Sequence, residues 1–293
     1  MQRKAGNERA LFRALYIPRV VYFVHCVYTI TTGGGEELER VLVGGLPAAY
    51  AEQGRGDAIL LLHGWGASAG LYAPLQQRLA KKYRVLALDF PGFGQSPEPP
   101  GAWDVDAYAD FVLAFLARLQ IESCALVGHS FGGRVILKLA ARQLEAPRFP
   151  KLVLIDSAGI RRLPTKASLR KSRKYRWGRK FLALPPLRKA FPGAPERLRQ
   201  KYGSADYRTA SPLMRQILVK TVNEDLTPLL TRVQAPTLLI WGRGDADTPL
   251  IDGQLMEREI PGAGLVILEN AGHFSFLEQQ GQFLRVMESF FEV

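Results

Sequence analysis

A chain of 293 residues, 47% hydrophobic and 23% charged, can hold one sizeable core with an inserted lobe, and this ordinary composition excludes general disorder. Two cysteines, Cys26 and Cys124, exclude a disulfide framework, and without a spaced Cys/His cluster a structural zinc site is not expected; both observations suit a reducing compartment. The formal charge of +12 is localised: fifteen Lys/Arg lie between Arg161 and Lys201 against one acid, Glu196, so the rest of the chain is nearly neutral.

The first residues are basic, and an apolar run from Val20 to Ile30 follows them. This run is shorter than the roughly 20 residues a membrane-crossing helix needs. It has the length of a signal-peptide core, but Thr31-Thr32-Gly33-Gly34-Gly35 is a poor cleavage site, and Cys26 lies inside the run, not at its end. Residues 1–35 are therefore expected to be a peripheral extension, with a targeting role left open and a cytoplasmic location expected.

From about Leu38 strands and helices alternate. Arg40–Val43 and Ala48–Ala51 flank the turn-forming Gly44-Gly45, and Ala58–Leu62 is a continuous apolar run ending in His63-Gly64. Leu71–Lys81 has helical spacing, Tyr83–Leu88 is β-rich, and Val105–Gln120 is strongly helical. Cys124–Val127 reads as a strand, Arg134–Leu144 as a helix and Leu152–Ile155 as a strand. The alternation stops near Ser157 and resumes with strands at Thr237–Trp241 and Leu265–Leu268 and a helix over Ser275–Phe291. Continuous apolar strands separated by helices predict an α/β fold, a mainly parallel sheet covered on both faces. The basic, proline-containing interval without a strand predicts an inserted helical lobe.

Gly128-His129-Ser130-Phe131-Gly132 fits G-x-S-x-G between a strand and a helix. An abrupt strand-to-helix turn strains its turn residue and brings backbones together, so glycines are needed two positions to either side. Such a turn lifts the Ser130 hydroxyl clear of the sheet and sets the Phe131 N–H at a helix N-terminus, as an oxyanion donor. A second donor is expected from the loop after the first central strand, in His63-Gly64-Trp65-Gly66, with the Trp65 backbone N–H as candidate.

A serine hydroxyl needs a base. Of the four histidines, His25 lies in the N-terminal apolar run, His63 at a strand end, and His129 beside Ser130 with its ring diverging from the hydroxyl. His273 remains, in a loop between the last strand and the last helix. The acid that orients it has three candidates by position: Asp245 and Asp247 after the strand Thr237–Trp241, and Asp156 after Leu152–Ile155. Asp245 is preferred, and the order Ser130, Asp245, His273 agrees with the chain order of strand-turn-helix serine hydrolases.

Together these motifs resemble the α/β-hydrolase superfamily in its cap-bearing branch. Leu61–Gly66 is similar to its His-Gly oxyanion segment, and Asp89-Phe90-Pro91-Gly92-Phe93-Gly94-Gln95-Ser96 to its Asp-x-x-Gly-x-Gly-x-Ser loop, with Asp89 and Ser96 as structural members. Gly128–Gly133 is similar to the elbow, Pro236–Pro249 to the acid-bearing segment, with Asp245 as the matching acid, and Gly272-His273 to the histidine loop. The likeness runs from about Glu36 to Val293 and is weakest between Ala158 and Leu230. It implies an α/β-hydrolase core at residues 36–157 and 231–293 and a strongly basic helical cap at 158–230. In that cap Tyr175, Trp177 and Phe181 are available to roof a pocket.

Relatives that open epoxides or displace halide carry an aspartate at the elbow, so Ser130 argues against both. It implies a serine esterase acting through an acyl-enzyme, without metal or organic cofactor. The expected partner is a small-molecule ester or acyl substrate, anionic or carried on an acidic protein if the basic face borders the pocket. Membrane-surface contact follows if that face points outward. No specific nucleic acid is expected, since no reading module accompanies the arginines. Two other readings stay open, a C–C bond hydrolase of the aromatic-degradation type and a ligand-binding receptor on a hydrolase scaffold.

Overall fold

The computed structural model describes residues 38–161 and 204–293, and between them 166–182, 184–191, 193, 194 and 197. The expected N-terminal extension, with His25 and Cys26, lies outside the described residues.

Among the described residues eight strands make one sheet: β1 (Glu39–Val43), β2 (Leu46–Gln53), β3 (Ala58–Leu62), β4 (Arg84–Leu88), β5 (Cys124–His129), β6 (Leu152–Ile155), β7 (Thr237–Gly242) and β8 (Gly264–Leu268). They are ordered β1-β2-β4-β3-β5-β6-β7-β8. β1 and β2 form an antiparallel hairpin, β2 runs antiparallel to β4, and every other pair is parallel. The central strands are apolar throughout because helices cover both faces. Alternate residues serve the two faces: Leu60 and Leu62 join one core layer, Ile59 and Leu61 the other.

The first layer is completed by α2 (Val105–Arg118) and α3 (Phe131–Ala141), the second by α1 (Ala73–Leu79) and the C-terminal α10 (Gln280–Phe291). α2 buries Tyr108, Ala109, Val112, Phe115 and Leu116, one stripe at helical spacing. Its first turn is closed by Asp104, whose carboxylate accepts the Ala107 N–H at 3.0 Å.

Between β6 and β7 the described residues hold no strand. They form α4 (Lys166–Leu182), α5 (Pro185–Ala190), α6 (Ala205–Thr209), α7 (Pro212–Asn223) and a 3₁₀ turn at Thr227–Arg232. Among the described residues no helix is long and apolar enough to cross a membrane.

Three details depart from the sequence reading. α3 starts at Phe131, directly on the elbow, not at Arg134. The terminal helix is two pieces, α9 (Ser275–Glu278) and α10, broken at Gln279 (φ −120°, ψ 43°). A further helix, α8 (Leu250–Glu259), has no sequence counterpart. Its Gly253 weakens any propensity argument, yet the position excludes a side chain: a Cβ there would lie 2.8 Å from the Trp241 indole. Tertiary packing against Trp241 overrides the local signal.

Register sets the level at which the strands end. Leu62 pairs with Leu88 and Gly128, Gly128 with Leu154, and Gly242 with Leu268. The loops after β3, β5, β6, β7 and β8 thus leave the same carboxyl edge, where ligands bind in open α/β sheets.

Candidate active site

Ser130 stands between β5 and α3 with φ 49° and ψ −104°, a conformation costly for a residue with a Cβ. Its N–H donates to the Ile155 carbonyl at 3.0 Å, and its own carbonyl accepts the Ala158 N–H at 3.1 Å, so the end of β6 and the loop after it hold it there. The turn is as tight as the glycine spacing requires. A Cβ on Gly132 would lie 2.1 Å from the Leu62 carbonyl oxygen, and one on Gly128 would lie 2.7 Å from the Gly132 carbonyl carbon.

Three loops bring Ser130, His273 and Asp245 into one hydrogen-bonded line. Ser130 Oγ lies 3.0 Å from His273 Nε2, and His273 Nδ1 lies 2.9 Å from Asp245 Oδ2. The Asp245 side chain is fully buried. Its Oδ1 accepts the Asp247 and Thr248 N–H groups at 2.8 and 3.0 Å, and its Oδ2 accepts the Thr248 hydroxyl at 2.7 Å. Burial alone would raise the Asp245 pKa, but the hydrogen bonds and charge of His273, with those of Thr248, hold it below the usual carboxylate value. For His273 burial disfavours the cation, yet the Asp245 carboxylate outweighs it and the pKa is raised. Nδ1 therefore carries the proton toward Asp245, and Nε2 faces Ser130 as an acceptor.

The other two acid candidates stand elsewhere. Asp247 is exposed and meets Asp245 through its backbone N–H. Asp156 is buried beneath the line, where Oδ1 accepts the Gly242 N–H at 2.8 Å and Oδ2 accepts the Ser275 N–H and hydroxyl at 3.1 and 2.5 Å. Burial pushes its pKa up to about 7.

Trp65 and Phe131 meet on the other side of Ser130. Their rings pack edge to face at 5.7 Å, and Phe93 closes on the indole at 4.8 Å. The Phe131 N–H opens α3 and so lacks an intrahelical acceptor. His63, wholly buried and therefore kept neutral, donates from Nδ1 to the Gly64 carbonyl at 2.7 Å and accepts the Phe90 N–H on Nε2 at 3.0 Å. This ties the Trp65 loop to the Asp89 loop. Asp89 accepts the Ala69 and Gln95 N–H groups, and the Ser96 hydroxyl donates to the Asp89 carbonyl at 2.7 Å; none of these groups lines the cleft.

Two residues carry roles that sequence reasoning missed. The His129 ring turns away from the Ser130 hydroxyl and donates from Nε2 to the His273 carbonyl at 2.7 Å. Buried beside His273 and Phe276, its imidazole is pushed down to about 3 and stays neutral. Thr248 stands at the junction of Asp245 Oδ2, the Asp156 carbonyl (2.9 Å) and His273 Nδ1 (3.2 Å). Its position three residues after Asp245, where a side chain commonly closes a turn onto a carboxylate, was the available signal.

Above these groups lies a cleft of about 700 Å³, lined by Trp65, Phe131, Ser130 and His273 on the sheet side and by Leu218 and Val222 of α7 opposite. Arg134, Arg161 and Arg208 reach it, as do Asp206, Asp247 and Asp252. Arg134 is buried, donates from Nη1 to the Glu224 carbonyl at 2.9 Å, and has its pKa lowered to about 10 by that burial.

Comparison with known proteins agrees with this architecture. The chain is 29% identical over 251 residues to a pimeloyl-[acyl-carrier protein] methyl ester esterase of Chromobacterium violaceum, covering 82% of this chain and 96% of that protein. Among solved structures it is similar to a bacterial membrane phospholipase A (28% identity, TM-score 0.67, 87% and 85% of the two chains). It is also similar to a meta-cleavage product hydrolase of Pseudomonas fluorescens (25% identity, TM-score 0.64, 87% and 97%). The sequence pattern of the alpha/beta hydrolase family matches residues 59–286, from the strand that carries the Trp65 loop to the helix behind His273. With that match across most of the chain and a parallel sheet presenting Ser130 at its carboxyl edge, the protein belongs to the alpha/beta hydrolase family.

Proposed function

We propose that this hydrolase cleaves carboxylic esters through an acyl-enzyme on Ser130, beneath a basic helical cap at residues 158–230 that closes over a core at 36–157 and 231–293. The supporting observation is the unbroken line from Ser130 Oγ through His273 to the buried Asp245, at 3.0 and 2.9 Å. As Oγ attacks the ester carbonyl carbon, its proton passes to His273 Nε2 and the carbonyl electron pair moves onto oxygen. The Trp65 and Phe131 N–H groups receive that oxyanion, each worth about 3–4 kcal/mol in comparable sites. Collapse expels the alkoxide, which takes the proton from Nε2 and leaves as an alcohol. Water then repeats the cycle, releases the acid and restores Ser130. Asp245 holds the tautomer and stabilises the imidazolium throughout.

The substrate this reading favours is a small acyl ester, seated in a cleft where Arg134, Arg161 and Arg208 are matched in number by Asp206, Asp247 and Asp252. Similarity to an esterase and to a phospholipase A supports ester cleavage. C–C hydrolysis is the second reading, favoured by the likeness to a meta-cleavage product hydrolase. Hydrolysis of a p-nitrophenyl ester series by the chain and by Ser130→Ala tests the choice. The expected outcome is a rate that varies with acyl length and falls by about 10⁴-fold or more in the variant. No ester turnover above the variant, with cleavage of a vinylogous diketone acid retained, would move the assignment to the second reading.

A further inference from the structure

We propose that the outward face of α4 is a docking surface for an anionic phospholipid bilayer. The helix reads Lys-Ala-Ser-Leu-Arg-Lys-Ser-Arg-Lys-Tyr-Arg-Trp-Gly-Arg-Lys-Phe-Leu, with eight Lys/Arg and no acid. A solvated helix usually balances such charges with carboxylates three or four positions away. Here none exists on the helix, and among the described residues Arg170, Arg173, Lys174, Arg176 and Lys180 meet no carboxylate.

The same face carries large apolar groups that the fold leaves wet. Trp177 is 74% and Phe181 60% exposed, with Leu169 exposed two turns earlier. At ~100° per residue these three share a sector of about 120°, with Arg170 and Arg173 among them. Leu184 and Phe191, at the two ends of α5, are exposed as well.

Charge complementarity alone would admit an acidic protein or a nucleic acid. Leu169 and Leu184 find no apolar partner on a nucleic acid, and a protein would need a groove both acidic and apolar fitted to this face, whereas an anionic bilayer satisfies both kinds of group without one. Its headgroup region accepts indole and phenyl rings, its acyl boundary takes leucine, and its phosphates pair with Lys and Arg. On the opposite side of the helix Tyr175 lines a second cavity of about 410 Å³, which shares Ser204, Asp206, Leu218 and Val222 with the cleft over Ser130. The helix thus stands between the proposed bilayer contact and the cleft. Docking is stated here without reference to turnover, so it stands or falls independently of the esterase reading.

Flotation of the full chain with phosphatidylcholine vesicles and with mixed phosphatidylcholine–phosphatidylglycerol vesicles tests it. Partition is expected to be at least about tenfold stronger on the anionic vesicles and to fall at high salt. It should drop about tenfold in the pair Trp177→Ser/Phe181→Ser and again in Arg173→Glu/Lys174→Glu, with melting and circular dichroism unchanged because these side chains support no core. Brominated lipids should quench emission from the chain but not from Trp177→Phe. Equal partition on both vesicle types, or anionic binding undiminished in the two double variants, would overturn the proposal and place any contact elsewhere. So would binding confined to an acidic protein or to nucleic acid.

Discussion

The imidazole of His273 is held between two opposed influences, since burial disfavours its cation and the Asp245 carboxylate favours it. The carboxylate prevails, so the neutral base that accepts the Ser130 proton accumulates only above the ordinary imidazole value of 6.5. The acid limb of kcat/KM should therefore turn above that pH. In Asp245→Asn it should move downward while kcat falls by about 10³–10⁴-fold, as expected when the tautomer is no longer fixed; a pH–rate profile of both proteins checks this. His129 acts one step further out, on the main chain of His273. His129→Phe keeps an aromatic ring of similar width but leaves the His273 carbonyl without its donor. At about 1–1.5 kcal/mol for that bond, kcat should fall roughly tenfold with the acid limb unmoved. An unchanged kcat would mean that packing alone places the loop. Ser130 and His273 were legible because a strained turn demands glycines at fixed spacing, and because four histidines leave little to eliminate. His129 was not, since it matters through a contact with a loop distant from it in sequence, and of the Thr248 contacts only the local one to Asp245 left a signal, those to Asp156 and His273 being long-range.

Asp156 is the joint at which several elements meet. From the end of β6 it receives the last N–H of β7 and both donors of Ser275 at the start of α9. Its pKa in the fold, raised by burial from 3.8 to about 7, means that folding takes up a proton between those values. The contribution to stability is whole below the lower value and is lost as pH rises through the upper one. Asp156→Asn removes this titration. The variant's Tm, measured relative to the unaltered chain, should therefore rise between pH 5 and pH 8, whatever its absolute level. A difference independent of pH would show that Asp156 stays ionised in the fold. At this scale the strands were the legible part, because a strand covered on both faces leaves a continuous apolar run. The helix Leu250–Glu259 was illegible: its glycine is dictated by Trp241, a residue outside its own sequence window.

Across the whole molecule, burial and charge are separated in space. Every residue of β5 is buried, whereas no described side chain of α4 or α5 is, and α6 buries none. Helices with so little apolar contact open at low cost, so this region should unfold locally well before the sheet does. Limited trypsin digestion followed by mass spectrometry should give first cuts within Lys166–Ala190, while the fragments stay associated and retain the near-ultraviolet signal of buried Trp241. Early cuts in the sheet would contradict this ranking. The separation also explains what sequence could and could not convey about the whole. A surplus of positive charge is visible in composition, but the shape of the cleft depends on how weakly patterned helices settle over it. One consequence follows from the hydrogen-bonded line itself. Its partners are 143 and 28 residues apart in the chain, and they meet only when β7, β8 and the helices after His273 have docked on a sheet begun far earlier. Local collapse around the elbow yields an inert intermediate, so recovery of turnover during refolding is a clock for the last long-range event, not for the first.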